Sequence, residues 1–133
     1  MSQREVINPG FPGWEERYTF SPGVVKRGKT LWISGTMATD DHGKMLGVGD
    51  IVEQTLVIFE KIKGIVEAAG GSMDDIVMTH DYITTTENYR ATAEVRRQYF
   101  TRNFPAATGV IVAGLLRPDA LIEIDAVAVL SDE

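Results

Sequence analysis

Glu123 and Asp125 stand two residues apart near the end of the chain. In an extended strand that spacing sets both carboxylates on one face, opposite Ile122, Ile124 and Ala126. His80 and Tyr82 repeat the pattern earlier, and Thr79 and Asp81 share the opposite face of the same segment. An imidazole titrates near neutral pH, so His80 is a candidate acid/base with Tyr82 as a donor, wherever that face lines a cavity. The competing reading is a hydrogen-bonded structural histidine. Arg117 precedes Pro118 in a turn-rich connection, either as a cation able to reach a cleft or as a loop or intersubunit ion-pair residue. Arg96 and Arg97 read as solvated or interfacial. Phe20 is either a cleft wall or core ring, or a surface for stacking a flat conjugated molecule.

Other chemistries lack their residues. No cysteine is present, which removes thiolate nucleophiles and zinc–thiolate sites. The two histidines, His42 and His80, lack metal-ligand spacing, so no metal site is expected. The glycines from Gly43 to Gly49 are not followed by the Lys-Ser/Thr pair of a phosphate loop.

The elements that position these side chains follow from periodicity. Val52, Leu56, Phe59, Ile62 and Val66 recur at steps of three and four, an apolar helical stripe. Asp50 with Glu53 supplies N-cap chemistry, and Gly70-Gly71 supplies the stop. Residues 76–83 include β-branched residues and predict a strand. A second helix is expected over roughly residues 87–100, capped by Thr85 or Thr86 and ended before Pro105. Residues 108–113 and 121–129 predict two more strands. Val24 to Lys26 and Thr30 to Ser34, around Arg27-Gly28-Lys29, predict a hairpin. Residues 1–16 form an irregular lead-in to one domain spanning 1–133. The order predicts an α+β fold, two helices on one face of a mixed sheet, with the other face covered by oligomerisation.

The chain is 133 residues long with a net charge of −6, which disfavours nucleic acid as a partner because phosphate neutralisation needs surplus cations. No apolar run is long enough to span a membrane. The first residues lack the apolar core of a signal peptide, so a cytoplasmic location is expected.

Five segments together resemble the Rid/YjgF family, the reactive-intermediate deaminases. These are Ser34-Gly35, Glu67-Ala68-Ala69-Gly70, Asp75-Ile76-Val77, Phe104-Pro105-Ala106 and the final Ile122 to Val129 run. The resemblance extends from about Phe20 to Val129. It implies a chorismate-mutase-like α+β fold, assembled as a homotrimer with clefts between subunits, and no cofactor. In the deaminating branch, an arginine after Pro-Ala binds the substrate carboxylate through a guanidinium fork. A glutamate on the last strand places water against an imine carbon, releasing ammonia.

Residue by residue, the glutamate is retained as Glu123 and a serine as Ser34. The arginine position is Ala107, a usual cysteine is Gly109, a tyrosine is Phe20 and a helix asparagine is Ala93. Thr108 and Gly109 flank the vacated position, where backbone N–H groups or the Thr108 hydroxyl could hold an oxygen. The resemblance therefore implies a subgroup without the anchoring arginine. Such an enzyme would act on a small imine, enamine or related conjugated metabolite by water addition or proton transfer, with Glu123 as the acid/base. The alternatives are a non-catalytic ligand-binding or regulatory trimer and an endoribonuclease.

Overall fold

In a computed structural model, described over residues 3–101 and 103–132, four strands form a mixed sheet. They are β3 (Lys29–Thr36), β4 (Ile76–Ile83), β5 (Ala106–Ile111) and β6 (Ile122–Leu130), in the order β3-β6-β4-β5. β6 runs antiparallel to both β3 and β4, and β5 runs parallel to β4. A two-stranded ribbon, β1 (Glu5–Val6) with β2 (Val24–Val25), and a short helix α1 (Trp14–Arg17) lie outside the sheet.

Helix α2 (Ile51–Ala68) is laid across the sheet by its apolar stripe. Ile58, Phe59, Ile62 and Val66 are fully buried, each worth about 1.5–3 kcal/mol of transfer free energy. The Asp50 carboxylate caps it, accepting from the Val52 and Glu53 N–H groups at 3.1 Å each. Gly70 follows the helix at φ 92°, a conformation that costs a side chain dearly. Buried Gln54 ties the β5–β6 connection to the helix, donating to the Asp119 carbonyl at 3.0 Å and accepting from the Leu121 N–H at 2.8 Å.

Alternation then sorts every strand residue. In β6, Ile122, Ile124, Ala126 and Ala128 enter the core, and Glu123, Asp125, Val127 and Val129 face away from the helices. In β4, Thr79, Asp81 and Ile83 are buried toward the helices, while His80 and Tyr82 pair in register with Asp125 and Glu123 on the outer face.

Two expectations are corrected. β2 does not form a hairpin with β3; it pairs with β1, Glu5 opposite Val25 and Val6 opposite Val24. The lead-in is pinned by buried Arg4, whose guanidinium donates to the Met73, Asp74, Ile76 and Asn103 carbonyls. Gly28 serves a different contact, since a Cβ there would run into the Leu130 carbonyl at the end of β6. The expected second helix is shorter. A 3₁₀ turn, Tyr89–Thr92, entered through Asn88 at φ 59°, leads into α3 (Ala93–Tyr99).

Candidate functional site

The aromatic lead-in builds one wall of a cleft at the β5 edge. Trp14, Tyr18 and Phe20 cluster with ring centroids 4.8–5.5 Å apart, and the Trp14 indole N–H donates to the Phe20 carbonyl at 2.5 Å. The 3₁₀ turn and α3 build the opposite wall with Tyr89 and Ala93. Ala107, Thr108 and Gly109 of β5 form the third, and the whole encloses a cavity of about 420 Å³. Phe20, Ala107, Thr108 and Gly109, separate in sequence, are thus brought together.

The cleft also contains residues that were not expected there. Arg96 is buried, not solvated or interfacial: its side chain reaches from α3 back beneath the cleft. Its Nε donates to the Thr19 carbonyl at 3.0 Å and its Nη1 to the Thr79 hydroxyl at 3.2 Å. The guanidinium stacks over Phe100 and Phe59, 5.3 and 6.0 Å from the ring centroids. Asp81 is buried beside it, with one carboxylate oxygen accepting from the Tyr89 hydroxyl at 2.7 Å. Burial pushes the Asp81 carboxyl above the ordinary carboxylate range and the Tyr89 phenol above the ordinary tyrosine range, and it lowers Arg96. Asp81 Oδ1 and Arg96 Nη2 are buried with no hydrogen-bond partner among the described residues. Each unfilled atom costs about 1–3 kcal/mol.

Gly109 is required by this arrangement. It pairs in register with Asp81, and a Cβ on it would sit 2.7 Å from the Tyr89 hydroxyl. The absence of a side chain there lets the tyrosine cross β5 to reach the carboxylate.

Glu123 lies elsewhere. It projects from the outer sheet face toward β3, where its carboxylate rests on Gly35 so closely that a methyl group at that position would collide with it. It makes no hydrogen bond to the described residues and is half-buried. Ser34 is exposed on the same strand as Gly35, away from the cleft. His80 is tied on the outer face: Nδ1 lies 2.7 Å from one Asp125 oxygen, and Tyr82 donates to the other at 2.8 Å. That bond raises the Tyr82 pKa. Arg117 stays in the β5–β6 connection and does not line the cleft.

Sequence signals for Arg96 and Asp81 did exist. Asp81 alternates with His80 onto the helix side of a central strand, where an acid demands a partner. Arg96 lies one residue after Val95 on the helix that covers that side. Only the fold brings the two, 15 residues apart in sequence, to the lining of one cleft.

No described helix is long and apolar enough to cross a membrane, and the described residues contain no cluster of three or more His, Cys, Asp or Glu side chains suited to a metal ion.

Comparison with known proteins follows the same outline. Residues 15–130 match the family described as endoribonuclease L-PSP. The fold matches the crystal structure of YyfB, a Rid-family protein of Yersinia pestis. The TM-score is 0.86 at 31% identity, covering 96% of this chain and 99% of that one. RidA from an Antarctic Psychrobacter matches at 0.71 and 28% identity, covering 94% and 93%. A Pseudomonas aeruginosa protein matches at 0.69 and 30% identity, covering 100% and 96%.

Proposed function

The chain belongs to the Rid/YjgF family, and from that premise we propose that it hydrolyses a small imine, enamine or related conjugated metabolite in a site completed between copies of itself. One observation carries the reading. The cleft opens at the β5 edge, whereas the unengaged Glu123 carboxylate lies on the outer face toward β3, two strands away. A single chain cannot bring both to one substrate. A second copy packed against the outer face can, and that face offers Trp32, 77% exposed, and Val110, 44% exposed, as apolar contacts. A homotrimer with three such sites is the assembly proposed.

The chemistry is water addition. Glu123 accepts a proton from water as the oxygen bonds to the imine carbon, and the C=N electron pair becomes a nitrogen lone pair that takes a proton. The nitrogen takes that first proton from solvent, and the resulting carbinolamine loses ammonia as its hydroxyl proton passes back to solvent and the carbonyl forms, with Glu123 returning its proton to the leaving nitrogen. General acid–base catalysis of this kind contributes about 10²–10⁴-fold. Ala107 cannot bind a substrate carboxylate as a guanidinium would, so ordinary 2-imino acids are poor substrates in this reading.

The test uses freshly generated imines and enamines, with ammonia release and product mass followed for the native protein and Glu123→Gln. Turnover that disappears in the variant while the oligomer persists supports the reading; turnover that survives overturns it. The empty position at Ala107 also favours a second reading, a binding trimer without turnover. A compound that raises the melting temperature and is recovered unchanged would establish it. The family's endoribonuclease label finds little support here, because the net charge is −6.

A further inference from the structure

Charge is spread unevenly over this chain. The net charge is −6, yet the cleft at the β5 edge is lined by Arg17, Arg90 and Arg96 against a single acid, Asp81. Two of the three cations are committed to the fold. Arg17 turns back on its own segment, donating to the Pro12 carbonyl at 2.9 Å with its guanidinium 5.7 Å from the Tyr18 ring centroid. Arg96 is buried and donates to the Thr19 carbonyl and the Thr79 hydroxyl. Arg90 is exposed, and its guanidinium has no hydrogen bond or ion pair among the described residues. Of the acids about one turn away, Glu94 is paired with Arg97, and no ion pair among the described residues joins Arg90 to Glu87.

The turn that carries Arg90 is fixed all the same. The hydroxyl of Tyr89, one residue earlier, donates to Asp81 at 2.7 Å, and the Thr92 hydroxyl donates to the Tyr89 carbonyl at 2.6 Å. The backbone is thereby placed on the cleft wall while the charged end stays free. A guanidinium fork matches a planar carboxylate through two charge-assisted hydrogen bonds.

We propose that Arg90 is the anion anchor of the cleft, gripping the carboxylate of a small acid whose flat conjugated body lies along the Phe20 and Tyr89 rings. The proposal deepens the reading above by naming the substrate as an acid, and it rests on this cleft being the substrate site. Arg90 stands on the 3₁₀ turn before α3, whereas Ala107, the vacated arginine position, stands on β5. The acid group held here is therefore remote from the imine carbon, unlike the adjacent carboxylate of a 2-imino acid. The surplus of positive charge on the lining attracts an anion and opposes a cation. The cavity of about 420 Å³ is in the small-molecule range.

The experiment titrates the assembled protein with sorbate, a flat conjugated carboxylate, and with sorbamide, its neutral counterpart, followed by the backbone amide shifts of Thr108 and Gly109. Sorbate should bind about tenfold or more tightly than sorbamide, and Arg90→Gln should remove that margin while sorbamide stays within about twofold. The Arg90 guanidinium has no partner among the described residues, so this substitution breaks no side-chain contact of the fold. Arg117→Gln, at an arginine that does not line the cleft, should leave both affinities within about twofold. Ala107→Leu, which narrows the cleft, should weaken both compounds. Equal binding of the two compounds overturns the proposal, as does sorbate affinity unchanged in Arg90→Gln or in Ala107→Leu, a loss in Arg117→Gln as large as that in Arg90→Gln, or no saturable shift with sorbate. Displacement of sorbate by an equal concentration of inorganic phosphate overturns the choice of a carboxylate. Arg90-dependent sorbate binding in a protein that turns over no imine would sink the hydrolase reading and leave this one standing; Glu123-dependent turnover unchanged in Arg90→Gln would do the opposite.

Discussion

The two faces of β4 carry polar clusters built in opposite ways. On the outer face, Asp125 has both oxygens engaged, one by His80 and one by Tyr82, and all three side chains are partly exposed. On the helix side, Asp81 and Arg96 are buried, and each keeps one atom unfilled. The outer network is close to a satisfied surface tie, worth little more than its hydrogen bonds. The inner pair retains an energetic penalty inside a cavity. A cluster that answers all its own hydrogen bonds orders a surface, whereas one that leaves some open carries their cost into the folded state.

That contrast can be broken by substitution. The largest expected effect is on chemistry: Glu123→Gln should lower kcat by about 10²–10⁴-fold with the assembly intact, measured by ammonia release and light scattering. On stability, Arg96→Leu should cost about 1–3 kcal/mol in urea unfolding for each of the two buried acceptors it leaves unpaired, the Thr19 carbonyl and the Thr79 hydroxyl. His80→Phe should cost under about 1 kcal/mol, since its partner is half-exposed. Comparable losses at the two positions would erase the distinction between the faces.

Gly35→Ala should displace the Glu123 carboxylate and reduce turnover by about 10²-fold. Turnover within twofold of native would mean that the carboxylate is not held by that contact. Asp81 supplies the pH test. Burial raises its native pKa above the ordinary 3.8, so the native state holds the proton more tightly than the unfolded chain. Its contribution to stability is complete below that ordinary value and is lost as pH rises through the raised one. Compared with Asp81→Asn, the native protein should therefore lose stability across that window. A native protein that instead gains stability relative to Asp81→Asn as pH rises would show the carboxylate paired rather than stranded.

Much of the architecture was readable along the chain, and for local reasons. The α2 stripe, its Asp50 cap and its Gly70 stop all lie within one segment, and the structure returns Ile51–Ala68. β4 is found at Ile76–Ile83, as β-branching predicts. The Rid/YjgF marks lie in short runs and led to the fold through resemblance. What failed was pairing. The β2–β3 hairpin was plausible on turn chemistry, but Arg4 binds carbonyls about 70 to 99 residues away and delivers β1 to β2 instead. The cleft was half legible: Phe20, Ala107, Thr108 and Gly109 came from family positions and line it together, while Arg117, weighed as a cation able to reach a cleft, does not line this one.

Sequence alone determined the helix, the central strands, the facing of Glu123 and the loss of an arginine at Ala107, because periodicity and residue identity are local properties. Only the tertiary structure decided that Arg96 turns inward beneath that position, that Gly109 admits the Tyr89 hydroxyl, and that Glu123 rests on Gly35. Each of these depends on which distant backbone a side chain meets, and no spacing along the chain encodes that distance.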